Sequence, residues 1–172
     1  MKRTNEWSKQ IGRDMAKSKE QKADDLAWRT YRKWGISGTK NRAVKEFQRM
    51  VRLESADENG QVVCVTCGFE NNWRNSDNKM NAGHFVGGRS NSIVFIEDNV
   101  HPQCVVCNCH HSGRLDVYES WMVERYGQER VTEIKMLRNQ TVKLDAETLN
   151  DMRLEYHERV KTAEKRLNQL GE

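Results

Sequence analysis

Two cysteine pairs constrain this chain more than any other feature. Cys64-Val65-Thr66-Cys67 and Cys104-Val105-Val106-Cys107 are separated by 36 residues. Four thiolates at that spacing suit a tetrahedral zinc ion, because each C-x-x-C turn wraps the ion from one side and the intervening chain closes into a module. A redox dithiol would call for a thioredoxin-like βαβ pattern around one pair, and neither pair has one. The fifth cysteine, Cys109, reads as a surface thiol or a small packed side chain. The odd, clustered set and the polar start Met1-Lys2-Arg3-Thr4 fit a reducing cytoplasm rather than a secreted disulfide framework.

The rest of the composition shows why such a staple is needed. The 172 residues suffice for one compact domain with extensions or two very small ones. Only 36% are hydrophobic and 31% are charged, with a mean hydropathy of -0.93. The core is therefore thin, and zinc would supply folding free energy that apolar burial does not. No apolar run approaches the roughly 18 residues that span a bilayer, which argues against a membrane protein.

The net charge of +4 hides an uneven distribution. Residues 1–52 carry 15 Lys and Arg against 6 Asp and Glu, residues 53–113 carry 3 against 7, and residues 114–172 carry 11 against 12. A basic arm beside a nearly neutral body is the footprint of a polyanion partner, nucleic acid above all; the plainer reading is a solvated helix face.

Periodicity places the motifs. A helical arm is broken at Gly35-Ile36-Ser37-Gly38-Thr39, after which Ala43, Phe47, Met50 and Val51 share a helix face. Val62 to Thr66 reads as a strand ending in the first cysteine pair, Asn71 to Asn81 as a polar loop, and His84-Phe85 as the start of a second short strand. Gly87 to Ser92 is a loop and Ile93 to Ile96 a brief apolar run, and the second cysteine pair starts another turn. Beyond Arg114 the pattern is helical, with a stop at Gly127 and then a final helix capped by Asp145. Leu149, Met152, Tyr156, Val160, Ala163, Leu167 and Leu170 form its apolar stripe, which packs on its own domain or serves as a dimer seam, the former slightly favoured.

Gly83-His84-Phe85, Asp98-Asn99-Val100-His101 and Cys107-Asn108-Cys109-His110-His111 carry the chemistry. Hydrolysis of a phosphodiester at neutral pH needs a base for the attacking water, a group that fixes the base in one tautomer, and a cation at the leaving oxygen. His84, Asn99 and the 108–111 cluster can fill those roles in that order. Singly, each has a plainer reading, since a lone histidine is commonly a surface residue and an asparagine after cysteine commonly caps a helix.

Together these residues resemble the HNH nuclease family, whose ββα-metal motif commonly sits on a zinc site of two C-x-x-C pairs. On that pattern His84 stands at the general base, Asn99 at the orienting asparagine and Asn108 at a metal-ligand position. One departure is visible: Gly83 occupies the place where an aspartate ligand is usual, so His101, His110 or His111 is left to complete the shell. A closer resemblance, over roughly residues 43–170, is to the NinG (Rap) recombination proteins of lambdoid phages. It is carried by Ala82-Gly83-His84-Phe85, by Glu97 through Asn108, by His110 and Ser112-Gly113, and by Tyr118, Tyr126-Gly127 and Val131. This resemblance favours His110 over His111 and implies structure-specific cleavage of branched DNA, leaving 5′ phosphate and 3′ hydroxyl ends.

The expectation is thus an α+β fold, a zinc-stabilised ββα-metal core over residues 43–113 with a basic arm at 1–42 and a helical region at 114–172. Cys64, Cys67, Cys104 and Cys107 hold structural zinc, while Asn108 and His110 hold a catalytic Mg or Mn ion. His84 is the base, held by Asn99, and Arg89, Lys40 and Arg42 grip phosphates. The function expected is a DNA endonuclease acting on Holliday junctions or D-loops in phage recombination, as a homodimer in the host cytoplasm. The rival is a zinc-stabilised module that binds DNA without cutting it.

Overall fold

The computed structural model of the chain describes residues 19–75 and 80–169. Residues 1–18, the first part of the expected basic arm, lie outside them. Among the described residues the architecture is mixed: three α-helices around two small antiparallel sheets.

Helix α1 (Lys19–Glu54) carries one non-helical residue, Gly35, at φ 63° and ψ 180°. That left-handed φ is open to glycine without a Cβ penalty, so the chain breaks where Gly35 predicts it. The hydroxyl of Thr39 donates to the Gly35 carbonyl at 2.8 Å, satisfying a group that the break frees.

Strand β1 (Gln61–Val63) pairs antiparallel with β2 (Glu70–Asn72). The expected strand over 62–66 is cut short because the chain turns at Cys64, where Cys64 N donates to Phe69 O at 2.8 Å and Gly68 N to Cys64 O at 2.9 Å. Strand β2 is unexpected. Its Glu-Asn-Asn sequence has no strand propensity, and the cysteine turn imposes the pairing. Strands β3 (Met80–His84) and β4 (Val100–Cys104) form the second hairpin, with Met80 opposite Cys104 and His84 opposite Val100. His84 therefore ends a strand instead of starting one, as the strand begins within the polar loop read from the sequence.

Ile93, Val94 and Phe95 are buried in a turn between these strands, and a 3₁₀ turn (Glu97–Asn99) leads into β4. After β4 comes a single π-helical turn (Val106–His110). Helix α2 (Leu115–Leu137) is interrupted at Gly127, φ 82°, as the sequence predicts, and α3 (Ala146–Gln169) closes the fold.

The β3–β4 hairpin separates two apolar clusters. Met80, Ala82 and Val100 pack with Phe47 and Met50 of α1 and with Leu149, Tyr156 and Val160 of α3. Phe47 stands 5.9 Å from Phe95 and 5.1 Å from Tyr156, ring centre to ring centre. Phe85, Ile93, Tyr118, Met122, Val131 and Ile134 form the second cluster with α2. The α3 stripe is thus spent on the chain's own core, and it does not serve as the dimer seam considered above; Leu170 lies outside the described residues. Arg166 donates to the carbonyls of Leu53 and Ala56 at 3.1 and 3.0 Å, holding orphan acceptors at the end of α1. Among the described residues no helix is long and apolar enough to cross a membrane.

Asp145 caps α3, its Oδ1 accepting from Thr148 N at 2.8 Å. Asp145→Ala removes that acceptor and is expected to lower the melting temperature by a few degrees without changing the fold, read by thermal unfolding followed by circular dichroism.

Candidate functional site

The four predicted ligands come together. The sulfurs of Cys64, Cys67, Cys104 and Cys107 all lie within 4.8 Å of one another, and the Cys67 and Cys104 sulfurs are 3.7 Å apart. A zinc tetrahedron with bonds of about 2.3 Å has sulfur–sulfur edges of about 3.8 Å, so the cage fits the ion. Burial raises the Cys64 thiol, but hydrogen bonds from Thr66 and neighbouring amides outweigh it and bring it down to about 6. Burial together with the neighbouring sulfurs pushes Cys67 up to about 12. Four thiolates this close need a cation between them. Outside the cage, Gln103 Nε2 donates to the Thr66 hydroxyl at 3.3 Å, which leaves that hydroxyl's proton for the Cys64 sulfur at 3.3 Å.

At the other end of the hairpin, His84 borders a cavity of about 880 Å³ between α1 and the Gly88-Arg89 loop. Lys40, Lys45 and Arg89 line it, with Asn41, Gln48 and Ser37, and among the described residues no carboxylate does. Lys40 Nζ also donates to the Arg89 carbonyl, tying the loop to the helix. Two of the three predicted phosphate-binding residues, Lys40 and Arg89, thus share a groove with His84. The third, Arg42, does not line it; its guanidinium stacks 3.6 Å from the Trp34 ring centre. Lys45 and Gln48 are new, and only the helix's rotation about its axis could have revealed them.

The His84 ring is fixed in one tautomer. Its Nε2 lies 3.2 Å from the Val94 carbonyl, which can only accept, so Nε2 carries the proton and Nδ1 keeps a lone pair. Burial lowers the His84 pKa, against a smaller opposing effect of the Val94 carbonyl, and keeps the ring neutral at pH 7. Asn99 does not hold the imidazole itself, which corrects the direct contact expected above. Fully buried, it gives Nδ2 to the carbonyls of Val86 and Ile93, each at 3.1 Å, and takes Val86 N at 2.8 Å. It fixes the peptides beyond His84 and before Val94, and so positions the His84 imidazole through the backbone.

A second network braces the peptide that precedes His84. Tyr118 donates to the Gly83 carbonyl at 3.0 Å, so its oxygen accepts from His101 Nδ1 at 2.9 Å. His101 Nε2 then accepts from Tyr126 at 2.7 Å. Both ring nitrogens are spent, which removes His101 as a metal ligand. Burial depresses its pKa to about 4, against the attraction of Asp98. An unfolded histidine takes its proton near pH 6.5 while the folded one refuses it until about pH 4, so the unfolded state binds more protons in that window. Stability should fall as pH drops from about 6.5 to 4, by roughly 3 kcal/mol for this one group. Melting curves of wild type and His101→Gln across that range are expected to differ by that slope.

Comparison with known proteins settles the lineage. The family model described as Bacteriophage Lambda NinG protein matches residues 1–166. The chain belongs to the NinG family. It is 30% identical over 119 residues to "Protein ninG" of Escherichia phage lambda, covering 69% of this chain and 55% of that one. It is 33% identical over 97 residues to the protein of the same name from Escherichia phage 933W (56% and 46%). With that from Salmonella phage P22 it shares 32% over 93 residues (54% and 43%). The chain thus spans about half the length of the curated NinG relatives it matches. No solved structure matches it.

In this NinG chain the residues expected to hold a catalytic ion stand apart from the groove. Asn108 and His110 lie in the π-helical turn after Cys107 and do not line the His84 cavity. The amides of Asn81 and Asn108 both donate to the Cys109 sulfur, at 3.4 and 3.8 Å. Asn81 is three residues before His84 on β3 and so faces the other side of the pleat. The cysteine cage is the one cluster of three or more Cys, His, Asp or Glu ligands among the described residues. Gly83 explains part of this. A Cβ there would come within 2.1 Å of Gln103 Oε1, so the space an aspartate would need is filled by a fully buried glutamine.

Proposed function

We propose that the protein is a DNA endonuclease that cleaves branched recombination intermediates, Holliday junctions or D-loops, during phage recombination in the host cytoplasm. One observation carries the reading: a neutral imidazole with a free Nδ1 borders a groove lined by three cations and, among the described residues, no carboxylate. His84 Nδ1 would take the proton of a water attacking the phosphorus, with Asn99 as the positioning residue. Lys40, Lys45 and Arg89 would bind the phosphate and stabilise the charge that develops on it. Membership in a phage family and the order hairpin, turn, helix after the second cysteine pair support the reading.

A catalytic Mg or Mn ion belongs to the proposal, and it would stabilise the leaving oxygen when bound. Asn108 and His110 lie outside the groove, so the described residues do not fit an ion beside His84. That mismatch, with Gly83 covered by Gln103, favours the second reading, a module that binds branched DNA without cutting it. A homodimer would supply one base for each of two strands, through a surface other than the α3 stripe.

The deciding measurement is nicking of a synthetic Holliday junction with Mg or Mn, beside linear duplex DNA and duplex RNA. Junction cutting supports the nuclease, binding without cutting supports the second reading, and preference for RNA would overturn both.

A further inference from the structure

A second groove lies one face further round α1. It has a volume of about 270 Å³, near the small end of ligand pockets, and its walls include Arg49, Arg52, Glu164, Trp73, Asn72 and Asn75. Arg49 is neutralised by an ion pair with Glu164. Arg52 is half-buried, and among the described residues no carboxylate pairs with it. Desolvation and the neighbouring Arg49 both lower its pKa, the sign of a positive charge left without a counter-ion. Trp73 is half-buried over Gly60, where any Cβ would meet its Cδ1 at 2.7 Å, so the glycine lets the indole lie against the chain. The indole, with the Arg74 guanidinium 5.4 Å from its ring centre, forms one wall of the groove and Arg52 another.

Lys45, Arg49 and Arg52 follow at i, i+4 and i+7 and share a helix face. Lys45 borders the His84 groove and Arg52 the Trp73 groove. The rise between them is about 10 Å, or about three nucleotide steps along one strand of duplex. An unpaired cation beside an aromatic plate is the combination that holds an unpaired nucleotide, its phosphate on the cation and its base on the ring.

The geometry points to the Arg52–Trp73 groove as a subsite for an unpaired nucleotide of the DNA, lying a few nucleotides from the phosphate at His84. The inference rests on the nucleic-acid reading above and deepens it, because unpaired bases occur at forks and D-loops and not in continuous duplex.

The test is fluorescence anisotropy of a labelled forked DNA with a short unpaired arm, against blunt duplex of equal length, without Mg or Mn so that no cutting competes. Arg52→Gln is expected to weaken fork binding about tenfold and to reduce the salt slope by about one. Trp73→Ala should weaken the fork about five- to a hundredfold and the blunt duplex far less, with Trp73→Phe recovering most of the loss. Zinc content and melting temperature report folding, and if Trp73→Ala fails to fold, Trp73→Phe and Arg52→Gln carry the comparison. Wild-type affinity and salt slope in folded variants would overturn the subsite, as would equal losses on fork and duplex or no DNA binding by the wild type. Junction nicking by the wild type with Mg or Mn reports the nuclease reading separately, so failure of the subsite and failure of the nuclease reading give different results.

Discussion

Replacing His84 with alanine is expected to reduce junction nicking by about 100- to 10,000-fold, the usual contribution of a general base, while DNA affinity stays within about twofold. Binding is expected to survive because Lys40, Lys45 and Arg89 remain in the groove. The pH profile adds a second readout. The working form of His84 is neutral, and burial holds its pKa below the ordinary 6.5. In the proposed reaction the imidazole is therefore mainly neutral at pH 7, and kcat/KM should decline as the pH falls through that lowered value. Equal nicking by wild type and His84→Ala would remove the residue from the reaction. A half-maximal rate above pH 6.5 would show that another group supplies the lone pair.

The other large effect is expected at the cysteine cage. Cys104→Ser, or a strong chelator, should unfold the module and release one zinc per chain, followed by metal analysis and loss of cooperative melting. Structural zinc sites contribute about 10–16 kcal/mol of apparent binding free energy, which matches or exceeds the net stability of about 5–15 kcal/mol typical of a small domain. Cys104 is buried, ends β4 and accepts Cys107 N at 3.4 Å, so its loss reaches both the metal and the sheet. A Cys104→Ser protein that melts as the wild type does and still holds zinc would show that the cage is not what folds the chain.

What the sequence revealed follows from how local each signal is. The two cysteine turns, the breaks at Gly35 and Gly127 and the Asp145 cap depend on a few adjacent residues, and all are found, the four sulfurs in one cluster that could hold a metal. The α3 stripe is periodic, and its burial against α1 follows the slightly favoured reading. Strands β2 and β3 escaped because partners distant in sequence dictate them: Glu70-Asn71-Asn72 is extended by pairing with β1, and the apolar positions of β3 amount to Met80 and Ala82. The His84 groove was half legible. His84, Arg89 and Lys40 were named from motif and charge, whereas Lys45 and the spent nitrogens of His101 depend on packing that no spacing reports. Gln103 is the clearest omission. Nothing in the stretch Pro102-Gln103-Cys104 signals that its side chain lies over Gly83.

Strand pairing gives the sulfur cage a role beyond holding the fold together. Cys104 sits opposite Met80 in the same ladder that sets His84 opposite Val100. Since successive side chains along a strand alternate sides, sliding β3 by a single residue would turn Gly83 toward the groove and the imidazole toward α2. By pinning one end of that ladder, a metal held in the cage would act as a phase lock: it would decide which side of the ribbon the His84 imidazole occupies, from the far end of the hairpin and without touching the ring.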